Sequence, residues 1–227
     1  MIRTAVIIGA SGDVGRGVTE VLQAADWRVV AVARDLARLA GLGDIRLAGD
    51  MSTPDRAAHA AEAVRAAVGQ PDLVVASING PVVNRSISVL DGAAFAATFA
   101  ANVVPHVEAV RAFLPILASG GTYMAVGGGM ADLVFPGTAA VSAAQAAQRM
   151  IFRHLSADPP RGDVRILELM LYSMIAGHGS AERAEPHWIT AGEVGRHVLA
   201  VVADPAAFAG PILRLRSRKQ VGLPETA

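Results

Sequence analysis

The sequence predicts an α/β protein with a doubly wound, seven-stranded parallel sheet and helices on both faces. Short apolar runs rich in β-branched residues alternate with longer segments of helical periodicity, which is the pattern of parallel strands joined by right-handed helical crossovers. The first run, Ala5–Ile8, leads directly into closely spaced glycines and then into a helix. No Pro/Gly/Ser-rich or charged linker divides the 227 residues, so we expect a single domain over 1–227.

Each element has its own local signal. Strands are predicted where apolar runs have strand length, at residues 5–8, 28–33, 45–48, 72–77, 122–126, 164–171 and 211–215. Helices are predicted up to about residue 25 and at 54–68, 91–117, 138–155 and 190–202. Pro54 lies in a first helical turn, where its missing N–H is harmless, and Thr190 with Glu193 forms a capping box. Pro105 is expected to kink the long helix.

The glycine-rich turn after the first strand predicts a dinucleotide site of the Rossmann type. Gly9 permits the tight turn, Gly12 lets the backbone approach a pyrophosphate, and Gly15 allows close packing of helix against strand. The exposed N–H groups of the helix start would hold the phosphates. A turn that needs glycine for packing alone is the alternative, but strand, turn and helix occur here in the order that dinucleotide binding requires. The other residues of the turn are Ser11, Asp13 and Val14.

Bulk composition argues against several classes of function. Lys and Arg total 20 and Asp and Glu total 20, so nothing suggests binding to nucleic acid or to an anionic membrane surface. The chain has no cysteine, and its six histidines lack metal-binding spacing. The first apolar run has only the length of a strand, and no apolar run is long enough to span a bilayer. We therefore expect a soluble, cytoplasmic protein without a metal.

The end of the second strand favours NADP(H) over NAD(H). Proteins that bind the non-phosphorylated cofactor place a carboxylate there, where it accepts a hydrogen bond from the ribose 2′-hydroxyl. This chain has Ala33 followed by Arg34, and a guanidinium binds a 2′-phosphate bidentately. Asp35 is expected to cap the short helix that follows. The alternative for Arg34 is a solvated surface arginine.

These motifs resemble those of the short-chain dehydrogenase/reductase family over essentially the whole chain. The glycine turn is similar to that of the family, with Asp13 where many members have glycine. The resemblance implies that the acidic segment after the third strand meets the adenine amino group and that an asparagine of the long helix belongs to the site. Beyond the turn, the positions that it assigns to the cofactor are Asp50, Met51, Ser77, Ile78, Asn79 and Asn102.

The family's catalytic residues are replaced in this chain. The resemblance implies a serine after the fifth strand, then a tyrosine and a lysine one helical turn apart, and these positions hold Gly128, Val141 and Gln145. Valine transfers no proton and glutamine carries no charge, although Gln145 retains the ability to bond a ribose hydroxyl. The ordinary mechanism of carbonyl reduction is therefore excluded. Hydride transfer belongs to the cofactor, so a reaction with another proton donor stays open.

Two residues after the sixth strand are candidates for a replacement acid, Tyr172 and His178. Tyr172 equally suits a wedge that packs on the cofactor, and His178 suits a mobile lid. Four other residues receive structural assignments: His106 to helix packing or an interface, Tyr123 to the core, and His187 with Trp188 to a lid or interface pair. A fairly apolar substrate pocket is predicted from Met124, Met130, Phe135, Met170 and Met174, for which plain core packing is the alternative.

Three functions remain in competition. The first is an NADP(H)-dependent oxidoreductase that acts on a small, fairly apolar substrate without the usual tyrosine and lysine. The second is a catalytically inactive homologue that serves as a cofactor sensor or partner subunit. In the third, cofactor binding is lost as well. The retained glycines, Arg34 and Asn102 argue against this third function. The resemblance implies that the long helix, 91–117, and the following helix, 138–155, pair with their mates in an oligomer. Both are alanine-rich, which allows close approach of helices, so we expect a homodimer or homotetramer.

Overall fold

The computed structural model describes residues 2–82 and 84–225, and the predicted seven-stranded parallel sheet is confirmed. Its strands, in chain order, are β1 (Thr4–Ile8), β2 (Arg28–Ala33), β3 (Ile45–Ala48), β4 (Leu73–Ala76), β5 (Thr122–Gly128), β6 (Arg165–Leu171) and β9 (Ile212–Leu215). Two short strands outside this sheet, β7 (Ile175–Ala176) and β8 (Ile189–Thr190), pair with each other. The order in the main sheet is β3-β2-β1-β4-β5-β6-β9, so the direction of winding reverses between β1 and β4.

Five helices cover the two faces of the sheet. They are α1 (Asp13–Ala24), α2 (Pro54–Val68), α3 (Gly92–Phe113), α4 (Ala139–Ala157) and α5 (Ala191–Ala203). Apolar side chains of α1 and α5 pack on one face, and those of α2, α3 and α4 pack on the other. Since both faces are covered, the strands are apolar throughout rather than alternating. The predicted capping box of α5, between Thr190 and Glu193, is present.

The helices α1 and α5 approach very closely, because glycines line their contact. A methyl group on Gly17 would overlap the backbone of Ala191, and one on Gly195 would lie 2.6 Å from the Gly17 carbonyl oxygen. This close approach pins the start of α1, and hence the glycine turn, against the segment that follows β6.

The proline inside α3 creates a docking point for the loop after β4. The helix runs through Pro105 as one element, but proline cannot donate a hydrogen bond to the carbonyl four residues earlier, which is that of Ala101. A methyl group on Gly80 would lie 2.8 Å from this carbonyl oxygen. The backbone of the loop therefore packs against the part of α3 where the helical bonding is interrupted.

One helical segment, Gly92–Ile116, is long and apolar enough to cross a membrane by length and composition alone. The same segment packs on α4 and α2, and 39% of its most apolar window is buried. A core helix of a folded domain passes the same test, so its apolar character has an explanation within this fold.

Candidate functional site

A cavity of about 930 Å³ lies at the carboxyl ends of β4, β5 and β6, where a doubly wound sheet binds its ligand. Val14 of α1 lines its edge, so the cavity reaches the glycine turn. Of the predicted site residues, the cavity wall contains Val14, Ser77, Ile78, Asn79, Asn102, Gly128, Gln145 and Tyr172. The titratable side chains in the wall, among the described residues, are Tyr172, His187 and Arg216.

The glycine turn has the geometry that its sequence predicts. Gly9 has a φ of 81°, in the left-handed region that favours glycine, and a methyl group there would overlap the Ser77 carbonyl oxygen. A methyl group on Gly15 would lie 2.8 Å from the Cα of Ala10. Gly12 is the N-cap of α1, and no described side chain caps the helix. The first N–H groups of α1 are thus available to an anion.

Asp13 uses its side chain to hold a distant segment rather than to face the turn. Its carboxylate accepts hydrogen bonds from the Gly179 N–H (2.6 Å) and the Ser180 hydroxyl (2.9 Å). Both donors belong to the short 3₁₀ helix His178–Arg183. A methyl group on Gly177 would lie 2.5 Å from the Asp13 carboxyl carbon. Asp13 therefore fastens the segment after β7 onto the start of α1.

Asn102 and His106 of α3 position the loop after β4. The Asn102 side chain accepts from the Gly80 N–H (3.0 Å) and donates to the Thr98 carbonyl (2.8 Å). The His106 Nε2 donates to the Ile78 carbonyl (3.0 Å). Burial lowers the pKa of His106 to about 4, so this histidine is neutral. The helix-packing assignment of His106 agrees with these contacts.

The residues predicted for the adenosine half of the cofactor lie outside the cavity wall. Arg34 is exposed directly after β2, and Asp35 caps the short helix that follows, as predicted. Asp50 accepts hydrogen bonds from Arg56 (2.6 Å) and from the Ser52 hydroxyl (2.8 Å). Its partial burial would raise its pKa, but these bonds outweigh that effect and lower it. Met51 is buried in the core. The role of Asp50 and Met51 in adenine binding stays a prediction.

The three replaced catalytic positions lie in different environments in the structure. Val141 is completely buried and does not contribute to the cavity wall. Gly128 and Gln145 both line the cavity, and they contact each other. A methyl group on Gly128 would lie 2.6 Å from both terminal atoms of the Gln145 carboxamide. The space into which a side chain at Gly127, Gly128 or Gly129 would project is therefore already filled, by the side chains of Glu168, Gln145 and Tyr172 respectively.

Of the two candidate acids, only Tyr172 reaches the cavity. Its hydroxyl donates a hydrogen bond to the Asp132 carboxylate, which also pairs with Arg149. The Arg216 guanidinium lies over the ring, 4.4 Å from its centroid. A methyl group on Gly129 would lie 2.8 Å from the Tyr172 ring. The tyrosine thus packs as a wedge whose hydroxyl is already committed to Asp132.

The structure agrees with some of the other aromatic and histidine assignments and not with others. His178 is absent from the cavity wall, among the described residues, while His187 and Trp188 are part of it. The assignment of this pair to a lid is consistent with that position. Tyr123 is fully buried and stacks on Phe152 at 6.0 Å between ring centroids, as its core assignment predicts.

The apolar pocket was predicted only in part. Met130, Phe135 and Met174 line the cavity. Met124 and Met170 are fully buried and absent from the cavity wall, so assigning them to the pocket was wrong. Met124 shares its face of β5 with the cavity residue Val126 but lies deeper in the core, whereas Met170 points to the opposite face of β6 from its neighbour Leu171, which lines the cavity. Leu133 and Trp188 extend the apolar wall instead.

Glu168 is a buried carboxyl group directly behind the cavity floor. It lies on β6 and is 1% exposed, and neither carboxyl oxygen has a hydrogen-bond partner among the described residues. A methyl group on Gly127 would overlap its Oε1. Burial raises the pKa of Glu168 to about 8, although Arg149, Gln148 and Arg214 act in the opposite direction. The carboxyl group is therefore mostly neutral at pH 7.

Sequence reasoning missed Asp132, Arg149, Glu168 and Arg216. The first, second and fourth carry no local signal, since charged residues in loops and on a helix surface are common. Glu168, by contrast, did carry a local signal in the sequence. It is the single charged residue within the apolar run Ile166–Leu171, and a charge in a strand that is covered on both faces is unusual.

Comparisons with known proteins agree with this architecture. Residues 3–184 match the family described as short chain dehydrogenase, whereas none of the curated proteins matches the sequence. An alcohol dehydrogenase from the archaeon Thermococcus sibiricus, complexed with 5-hydroxy-NADP, is 22% identical, with a TM-score of 0.83 over 96% of this chain and 97% of that one. An NADPH-bound short chain oxidoreductase from Pseudomonas aeruginosa PAO1, described as containing an atypical catalytic center, is 19% identical, with a TM-score of 0.82 over 94% of both chains.

Proposed function

Because the chain belongs to the short chain dehydrogenase family, we propose that it is an NADP(H)-dependent oxidoreductase that reduces a small, fairly apolar substrate without a tyrosine–lysine pair. The observation that carries this proposal is the cavity at the carboxyl ends of the strands, which begins at an uncapped helix start and ends among apolar side chains. A dinucleotide and a small second ligand are the kinds of molecule that such a cavity accommodates.

The residues present fit a phosphorylated dinucleotide. The uncapped N-terminus of α1 suits a pyrophosphate, and the exposed guanidinium of Arg34 suits a 2′-phosphate. Asn102 holds the loop whose residues Ser77–Asn79 line the cavity. When bound, a reduced nicotinamide supplies a hydride. The two structural relatives whose descriptions name NADPH or an NADP derivative support the same choice.

The substrate half of the cavity favours an uncharged, apolar molecule. Its wall contains Met130, Leu133, Phe135, Met174 and Trp188. Among the described residues that line it, none is a carboxylate or a lysine. A charged substrate would thus find Arg216 as its main ionic partner, and Arg216 already stacks on Tyr172.

A cofactor sensor or partner subunit is the second candidate function. The observation in its favour is that Asp13 ties the segment 178–183 to the start of α1, next to the predicted phosphate site. Nucleotide binding at α1 would then affect a surface segment directly, which is what a sensor requires. Catalytic turnover of NADPH with a substrate distinguishes the two candidates, since the oxidoreductase has it and the sensor does not.

The decisive experiment is titration of the purified protein with NADPH and with NADH, followed by nicotinamide fluorescence. We expect NADPH to bind more tightly, and its fluorescence to decay when an acceptable substrate is added. Binding without decay over a panel of aldehydes, ketones and activated alkenes would favour the sensor. If neither nucleotide bound, the proposed function would be wrong.

We also propose that α3 mediates a homodimer. Phe95 and Phe99 stack at 6.4 Å between ring centroids on this helix, and Val104 is 39% exposed. Small residues between them, such as the exposed Ala96 and Ala100, allow two helices to approach closely. In analytical ultracentrifugation at micromolar concentration we expect twice the chain mass, and a monomer for Val104→Glu. The matched change Val134→Glu, at a residue that is 94% exposed in the segment between β5 and α4, should leave the dimer intact.

A further inference from the structure

The contact between Gly128 and Gln145 identifies these two replacements as a matched pair. Gly128 has a φ of −129° and a ψ of 154°, an extended conformation that any residue adopts, so the backbone does not require glycine here. Space does. A methyl group on Gly128 would lie 2.6 Å from both Nε2 and Oε1 of Gln145. The carboxamide occupies the place that the side chain of a serine would take.

The carboxamide is buried and faces the cavity. Gln145 is 9% exposed, and it lines the cavity wall. Its Oε1 has no hydrogen-bond partner among the described residues. By contrast, Gln148, one turn further along α4, donates from Nε2 to the Val126 carbonyl at 3.1 Å. The unpaired Oε1 is a fully buried acceptor. The donors of this side chain are its Nε2 N–H groups, which form no hydrogen bond with a described residue and are therefore the groups that can meet an acceptor on a ligand in the cavity.

We propose that the Gln145 carboxamide binds the carbonyl oxygen of the substrate, and that the substrate is an α,β-unsaturated ketone or aldehyde. This inference rests on the proposed function. An amide N–H stabilises negative charge as it develops on an oxygen, but it does not release its proton at accessible pH. The carbonyl group is therefore held and polarised by a donor that cannot act as the acid of an ordinary ketone reduction.

The unsaturated carbonyl class follows from that lack of an acid. Val141 is buried away from the cavity, and the Tyr172 hydroxyl is bonded to Asp132. His187, the other wall residue that could act as an acid, is largely exposed and turns its Nδ1 to the Glu185 carboxylate at 3.4 Å. A bound reduced nicotinamide would supply a hydride to the β-carbon and be oxidised in return, and the electron pair of the C=C bond would shift towards the carbonyl group to give an enolate oxygen held by Gln145. The enolate is stabilised by resonance and by the Gln145 N–H groups. Water then supplies the proton to the α-carbon, which completes the saturated carbonyl product.

The matched pair can be tested without any cofactor. Gly128→Ser alone should lower the thermal unfolding midpoint by several degrees, because the carboxamide must move to make room. In the Gln145→Ala background the same Gly128→Ser change should cost much less, because the space is then free. Equal losses in both backgrounds would show that the two residues do not share one space, and would overturn the pairing.

The substrate class is tested with the NADPH-loaded protein, with 2-cyclohexen-1-one and cyclohexanone as probes. We expect NADPH oxidation with the enone and at least about a hundredfold less with the saturated ketone. Gln145→Met removes the donor at similar size and should reduce enone turnover by about a hundredfold or more, with less than a tenfold change in the NADPH dissociation constant. The control Gln70→Met replaces an exposed glutamine. It should change neither enone turnover nor the NADPH dissociation constant.

The outcomes separate this inference from the proposed function. Tight NADPH binding without enone turnover, or unchanged enone turnover in Gln145→Met, would overturn the role of Gln145 while the cofactor assignment stands. A parallel loss of binding and turnover in Gln145→Met would assign the residue to the cofactor instead. If NADPH failed to bind the parent protein, the proposed function itself would be wrong.

Discussion

The Glu168→Gln variant is expected to unfold with the same free energy as the parent protein in acid and to be more stable by several kcal/mol above pH 8. The folded protein raises the pKa of Glu168 from its ordinary value of 4.5 to about 8. Between these values the folded state holds a proton that the unfolded state has released. Stability contributed by this group is therefore complete below pH 4.5 and falls by about 1.4 kcal/mol per pH unit as the pH rises towards 8.

A buried histidine restricts the range in which this effect is visible. The pKa of His106 is lowered from 6.5 to about 4 by burial, so the unfolded state binds an extra proton between these values and stability rises with pH there. The contributions of His106 and Glu168 oppose each other up to pH 6.5. Between pH 6.5 and 8, Glu168 acts without this opposition.

Urea unfolding at several values between pH 6.5 and 8 measures the Glu168 effect. The parent should lose about 2 kcal/mol across this interval, whereas Glu168→Gln should show little change. Glu62→Gln is the matched control, since Glu62 is exposed and paired with Arg65, and it should keep the slope of the parent. A variant of Glu168 that retained the parental slope would show that this carboxyl group is ionised in the folded protein.

Replacing Arg34 with alanine is expected to weaken NADPH binding by about ten- to a hundredfold and to leave NADH binding nearly unchanged. Hydrogen bonds to a charged group contribute about 1.5–3 kcal/mol each, and a bidentate arginine–phosphate contact lies within that range or above it. Only NADPH carries the 2′-phosphate that such a contact requires. The expected difference between the two nucleotides thus measures the phosphate contact alone.

The matched control for Arg34 is Arg28→Ala. Arg28 is also exposed but begins β2, whereas Arg34 directly follows its end, so the two guanidinium groups lie at opposite edges of the sheet. Dissociation constants for both nucleotides, measured by fluorescence at two salt concentrations, should change only in Arg34→Ala, and more at low salt. An equal loss for NADPH and NADH would show that Arg34 does not discriminate the 2′-phosphate.

The local sequence was sufficient for most of the fold. Apolar runs bounded by turn residues located all seven strands of the main sheet, to within two residues at each end. The two-stranded β7–β8 pair was missed, because two-residue strands have no periodicity to detect. The cavity residues Asn102 and Ser77 were predicted by the resemblance to the family, since they occupy positions of its motifs.

The chemistry that the site lacks was determined by the sequence, because residue identity alone excludes proton transfer by Val141 and charge on Gln145. What occupies the site instead was decided by the tertiary structure. The Asp13–Gly179 bond joins residues 166 positions apart, and the contacts of Gln145 with Gly128 and of Tyr172 with Asp132 likewise join separate elements. The neutral state of Glu168 depends on burial by β5, β9 and α4. Such contacts and burial depend on how the elements pack, and no local pattern of residues encodes them.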